Sequence, residues 1–215
     1  REILTPYVED VVARSKIERP VRFAYDSGNG AAALVAARVF AALGQEPVAL
    51  FDDPDGTFPN HHPDPTIPEY VEQLRQRVID DGLEFGVAYD GDADRIGVID
   101  ANGEILWGDR LLVLYARDLL ERSPGAQVIH DVKCSQTLTD AVRAAGGEPV
   151  IWKTGHSLIK QKMKQTGATL AGEMSGHLFL GENWYGFDDA IFATVRLLEI
   201  VARDGRGLHE ILADV

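Results

Sequence analysis

Short runs rich in Val, Ile and Phe alternate along the 215 residues with longer segments of helical period, and Gly, Asn or Asp stands at most of the joins. A buried parallel strand needs a run of β-branched and aromatic residues, and its parallel neighbour needs a crossover helix between them, so this alternation predicts α/β architecture. The apolar runs predict strands near 21–26, 47–51, 85–89, 95–100, 127–132, 149–152, 169–173 and 177–180. From residue 31 to 43, Leu34, Val35, Val39 and Ala42 recur at helical spacing and Gly44 stands where a C-terminal cap belongs, which reads as a crossover helix. Segments 110–121, 136–145, 157–165 and 188–202 predict further helices, each entered from a polar or glycine-bearing turn. The turn Ala101-Asn102-Gly103-Glu104 ends one such series and a new helical pattern opens after Trp107-Gly108-Asp109, so two stacked α/β units are expected, 1–104 and 105–215.

Composition supports a packed core, with 45% hydrophobic and 26% charged residues. A net charge of -13 argues against a nucleic-acid partner, whose phosphates require a basic face. Small anions stay allowed, because a few local cations can govern one cleft. The single Cys134 rules out an internal disulfide or a cysteine metal cluster and is expected to be a small buried hydrophobe, so a reducing cytoplasm is the simplest compartment. No apolar stretch approaches a membrane span, and REILTPYVED has no apolar run of the signal-peptide kind. No repeat period appears, which excludes a solenoid.

The chemistry concentrates in GVAYDGDADRIGVID, where Asp90, Asp92 and Asp94 follow a strand at every second position with only Gly91 and Ala93 between them. Crowded carboxylates raise one another's pKa unless a cation offsets them, so the loop invites a hard, oxygen-bound divalent ion, Mg2+ first. Small intervening residues let the alternate side chains converge. Arg95 follows directly and suits paired hydrogen bonds to a phosphate. An EF-hand would need Gly and Glu where Arg95 and Ala101 stand. An aspartyl phosphatase, with Asp90 as nucleophile, remains an alternative that Ala93 and Asp94 disfavour.

DGDADR, KTGHSLIK from Lys153 to Lys160 and GEMSGH from Gly172 to His177, taken in that order, resemble the α-D-phosphohexomutase superfamily. YDSGNG from Tyr25, DGTFPNHHPDP from Asp55 and DVKC from Asp131 extend the likeness over nearly the whole chain. The resemblance implies two consecutive three-layer α/β domains with mixed sheets, the second and third of a four-domain enzyme. The first domain of that family carries a phosphorylated serine in a TASHNP-like loop; no such loop is seen here, so flanking domains 1 and 4 are expected partners and the chain alone is expected to be inactive. By the same resemblance Asp90, Asp92 and Asp94 would hold Mg2+, assisted by Arg95, while phosphate passes between enzyme and hexose through glucose 1,6-bisphosphate or a similar intermediate. Glu173 and Ser175 would meet adjacent sugar hydroxyls, His177 would contact the sugar or move its proton, and Lys133 and His156 would serve the sugar phosphate, with Lys153 and Lys160 nearby. Met174 together with TGHS resembles the phosphomannomutase/phosphoglucomutase branch, which implies glucose and mannose phosphates as substrates. The alternative of another class is a non-catalytic sugar-phosphate or metal-binding module. The family likeness places the rigid loop 58–63 near the active cleft, with no catalytic role assigned to it, and the turn Ser27-Gly28-Asn29-Gly30 is read as structural.

Overall fold

A computed structural model describes residues 2–215. Phe23–Asp26 (β1), Val48–Leu50 (β2), Phe85–Tyr89 (β3), Ile96–Asp100 (β4) and Ile105–Leu106 (β5) form a sheet in the order β2-β1-β3-β4-β5. β1 pairs parallel with β2 and β3, whereas β3–β4 and β4–β5 are antiparallel hairpins. Every residue of β3 is buried, as expected of a central strand covered on both faces. The β4–β5 hairpin keeps Ile105 and Leu106 in this sheet.

The parallel pairs are linked by helices. The single helix expected over 31–43 is two pieces, a 3-10 turn at Ala31–Leu34 and then Ala36–Ala42 (α2), with Val35 out of helical conformation at φ −143°. Ala31 N–H donates to Gly91 O at 2.9 Å, so the start of this turn is tied to the aspartate loop. Glu72–Asp80 (α3) covers the other face with Leu74 and Val78, packed on Ala88 and Ile99. Ahead of the sheet, Leu4–Ala13 (α1) buries Val11.

The second sheet contains Gln127–Asp131 (β6), Glu148–Trp152 (β7), Leu170–Gly172 (β8) and Leu178–Leu180 (β9) in the order β7-β6-β8-β9. β6 pairs parallel with β7 and β8, and β9 is antiparallel to β8. Its helices are Gly108–Arg122 (α4), Gln136–Ala144 (α5), His156–Thr166 (α6), Ala190–Asp204 (α7) and Leu208–Ile211 (α8). α6 lays Ile159 and Met163 on Ile129, Ala171 and Phe179.

α4 packs on β4 and β8, and α7 on β4 and β9. These two helices therefore lie between the sheets, and one apolar cluster runs from Phe23, Phe40 and Phe85 through Leu112 and Phe192 to Val128 and Leu178. Tyr89 and Thr194 share a hydrogen bond at 2.9 Å across this joint. Asp118 on α4 pairs with Arg122 at 2.9 Å and with Arg196 and Arg203 of α7. The chain is thus two sheets on one continuous core. Among the described residues no helix is long and apolar enough to cross a membrane.

Candidate functional site

The β3–β4 turn places Asp90, Asp92 and Asp94 with one ligand atom from each within 4.8 Å of the others. Ala93, at φ +62°, makes the reversal that lets alternate side chains converge. Asp90 is 3% exposed. Its Oδ1 accepts from the backbone N–H groups of Asp94 and Arg95, both at 3.0 Å, and its Oδ2 from Arg95 Nε at 2.8 Å. That bonding fixes the carboxylate and leaves a lone pair on Oδ2 for a cation. A buried, clamped Asp90 is poorly suited to act as a nucleophile, which counts against the phosphatase alternative.

Arg95 also donates Nη1 to Asp64 Oδ1 at 3.1 Å, so the proline-rich loop braces the aspartates through it. Behind the loop, Gly30 lies so close that a methyl on it would stand 2.8 Å from Gly91 O. The glycine turn of YDSGNG therefore acts as a packing surface for the aspartate loop. Nearby, His61 Nε2 lies 3.0 Å from Asp26 Oδ2.

The strand expected from residue 95 starts at Ile96, because Arg95 bridges instead to His177. Ile96 N–H donates to Gly176 O at 3.1 Å. Gly176 has φ +94°, and a Cβ there would meet Ile96 O at 2.4 Å. This contact joins the DGDADR loop of the first sheet to the GEMSGH loop of the second.

Across it, His177 Nε2 lies 3.3 Å from Asp94 Oδ1, and Nδ1 lies 3.2 Å from Glu173 Oε2 and 2.8 Å from Ser175 Oγ. Glu173 is 3% exposed and its Oε1 accepts from Gly155 N–H. Burial pushes the Asp94 carboxyl up to about 6, reinforced by the charge of Asp90 and opposed by His177. For His177, burial disfavours the charged ring, but the hydrogen bond to Glu173 and the charge of Asp94 raise its pKa above the usual value. The donor set is hard oxygen with excess negative charge, which fits Mg2+.

His156 is exposed at the start of α6, with its ring parallel to that of His177 at 5.9 Å between centroids. Lys160, one turn on, donates to Asp188 Oδ1 at 2.8 Å. Lys133 and Lys153 are exposed, and among the described residues neither has an ion-pair partner. Cys134 is half-buried and its thiol donates to Asp131; burial followed by that bond raises its pKa.

Two site residues were assigned no role from the sequence, although one of them opens the DVKC motif. Asp131, at the end of β6, accepts from Thr154 Oγ1 at 2.9 Å and Met174 N at 3.3 Å, so one carboxylate holds both the KTGHS and GEMSGH loops. Its position at the carboxyl end of a central parallel strand was the available clue. Asp188, read only as a helix start, comes together with Asp94 and His177. A cleft of about 350 Å³ opens beside them, lined by Tyr7, Leu34, Phe187, Asp92, Asp94 and Asp188 among others.

Comparison with known proteins agrees with this arrangement. Residues 5–103 match the family described as Phosphoglucomutase/phosphomannomutase, alpha/beta/alpha domain II, and residues 107–215 match alpha/beta/alpha domain III. A phosphomannomutase/phosphoglucomutase of Pseudomonas putida is 50% identical over 212 residues, covering 99% of this chain and 46% of that protein. A crystal structure of a phosphoglucomutase/phosphomannomutase family protein from Burkholderia thailandensis superposes with a TM-score of 0.95 at 49% identity, over 99% of this chain and 46% of that one. At 18% identity and a TM-score of 0.73, the N-acetylphosphoglucosamine mutase of Aspergillus fumigatus, solved with GlcNAc-6P and magnesium, shares the fold over 98% of this chain and 52% of its own. The chain spans about half the length of the relatives it matches. With both domain descriptions matched in order across nearly all its residues, the chain belongs to the phosphoglucomutase/phosphomannomutase family.

Proposed function

We propose that this chain supplies the two central domains of a phosphomannomutase/phosphoglucomutase, a cytoplasmic isomerase that interconverts hexose 1-phosphates and hexose 6-phosphates. Phosphate would pass through a bisphosphorylated sugar and a phosphoserine carried by a domain outside these residues. The observation that carries the reading is the Arg95–His177 bridge, which sets a carboxylate triad against a loop of sugar-binding chemistry. Asp90, Asp92 and Asp94 would hold Mg2+, whose chemistry is to neutralise charge on the transferring phosphoryl group.

Each side chain then has a task within its present contacts. Arg95 spends Nε and Nη1 on Asp90 and Asp64, which leaves Nη2 to meet a phosphate oxygen. Glu173 and Ser175 both engage His177, so a sugar that bonds them exchanges its hydroxyls for that ring. His177 is thereby freed to contact the sugar or move its proton. Lys133 and His156 would serve the distal phosphate, and Met174 is consistent with substrates of the glucose and mannose type. A sugar bound in two orientations needs donors and acceptors that tolerate reversal, which a carboxylate and a hydroxyl provide.

The test is an assay of the full-length protein and of residues 1–215 with glucose 1-phosphate or mannose 1-phosphate, Mg2+ and glucose 1,6-bisphosphate. Hexose 6-phosphate formed by the full-length protein alone is expected. Free phosphate from residues 1–215 would replace the reading with an aspartyl phosphatase, and no turnover by either with retained Mg2+ binding would leave a binding module.

A further inference from the structure

Asp188 lies in the cleft outside every motif that marks the site. Its carboxylate is 6% exposed; Oδ1 accepts from Lys160 Nζ at 2.8 Å, while Oδ2 is buried with no hydrogen bond, 3.5 Å from His156 Nδ1. The backbone is tied on both sides of it. Asp188 bridges to Phe179 beside β9, and Asp189 caps α7 by accepting from Phe192 N–H at 2.9 Å.

His156 Nδ1 stands between this carboxylate and Lys160 Nζ, the latter 3.4 Å away. An ammonium can only donate and a carboxylate can only accept, so Nδ1 is bare if it serves Lys160 and protonated if it serves Asp188. The two costs are unequal. Lys160 reaches solvent, being about one-third exposed, and loses little without the histidine. Oδ2 does not reach solvent, and a buried acceptor left without a donor bears its full desolvation penalty.

We infer that Asp188 is a positioning residue, which closes on His156 Nδ1–H, fixes that tautomer and holds Lys160 beside it, so that Nε2 of His156 and Nζ of Lys160 face a hexose phosphate together. A carboxylate behind an imidazole sets which ring nitrogen meets the ligand in the same way at metal-bound histidines. The assignment to a hexose phosphate rests on the function proposed above, whereas the tautomer does not.

The experiment is ¹⁵N NMR of the full-length protein labelled in histidine, with steady-state kinetics on the same samples. His156 should carry its proton on Nδ1 in the wild type, keep it there in Lys160→Met and lose that preference in Asp188→Asn. In the mutase assay Asp188→Asn should raise KM for hexose phosphate about tenfold, the scale of one charge-assisted hydrogen bond, with kcat changed by less than about threefold and Asp188→Glu restoring part of the loss. A wild-type His156 protonated on Nε2 alone overturns the inference without any variant having to fold. So does an Asp188→Asn protein with unchanged KM, or one with reduced kcat and unchanged KM. A wild type with the Nδ1 proton but no mutase activity would instead sink the function and leave the positioning intact.

Discussion

Replacing Gly176 by Ala tests whether the contact between the two loops is built on backbone. The residue sits at φ +94°, and its Cβ would stand 2.4 Å from Ile96 O. A side chain in left-handed conformation costs about 1–2 kcal/mol. Forcing a methyl against a carbonyl that belongs to β4 adds about 1–3 kcal/mol, because no rotamer change relieves it. Relaxation is limited by what it breaks: moving the loop away sacrifices the Ile96–Gly176 hydrogen bond, about 1 kcal/mol, and opens the 3.3 Å contact between His177 and Asp94. We therefore expect a loss of about 2–5 kcal/mol in guanidinium unfolding. Gly125→Ala is the control, since Gly125 has φ +82° but nothing within 4 Å of an added Cβ, and should show only the backbone cost of about 1–2 kcal/mol. Equal losses for the two variants would mean that the loops are not in backbone contact, and the account of the site as one unit would fall with it.

Calorimetric titration of the wild-type chain with Mg2+ should show one site that Asp92→Asn weakens at least about tenfold, the lower end of what even outer-shell changes cost; unchanged affinity would remove the triad as the metal site. Asp118→Asn should destabilise the chain by about 2 kcal/mol in urea, less than the 3–5 for a fully buried pair, because Arg122 and Arg203 are 39% and 44% exposed and can turn to water; no measurable loss would refute the network. The hydrogen bond to Asp26 raises the His61 pKa, against burial which lowers it. A raised folded pKa stabilises below the unfolded value of about 6.5 and is lost as pH rises through the folded value. The stability difference between wild type and His61→Asn should accordingly be larger at about pH 6 than at about pH 8.5, and a pH-independent difference would contradict the pairing.

What could be read in advance follows from how local each signal is. Three aspartates at alternate positions after a buried strand need only a reversal to converge, and Ala93 supplies it, so the triad was legible from a few residues. The eight apolar runs all became strands, because β-branched and aromatic clustering marks a buried strand strongly. β5 has two residues, too few to show a period. The break at Val35 falls just after a turn whose first residue bonds to Gly91, sixty positions away, and no local pattern marks it. Arg95 ranked as a phosphate ligand because its type suits phosphate; that it also clamps Asp90 to Asp64 depends on a loop whose path no pattern reveals. Asp131 opens the DVKC motif at the end of a predicted strand, but its hold on two loops shows only in the fold, and the same is true of the burial of Asp188.

The shared core bears on how such a site can work. The aspartate loop hangs from β3 and β4 and the GEMSGH loop from β8 and β9, yet α4 and α7 pack against both sheets and the Asp118 network locks these helices together. Ala93 O accepts from Ala190 N–H at 3.1 Å, so the start of α7 touches the aspartate loop directly. Separating Asp94 from His177 would require opening an apolar core, whereas rotating Glu173, Ser175 or His177 requires only an exchange of hydrogen bonds. The less costly motion is the local one. Under the proposed function, a hexose phosphate that turned around between two half-reactions would meet a fixed distance between the aspartate triad and the GEMSGH side chains, with adaptation confined to three side chains. That arrangement would, under the proposed function, let one set of donors and acceptors serve both orientations, because the frame holding them would not move when the sugar did.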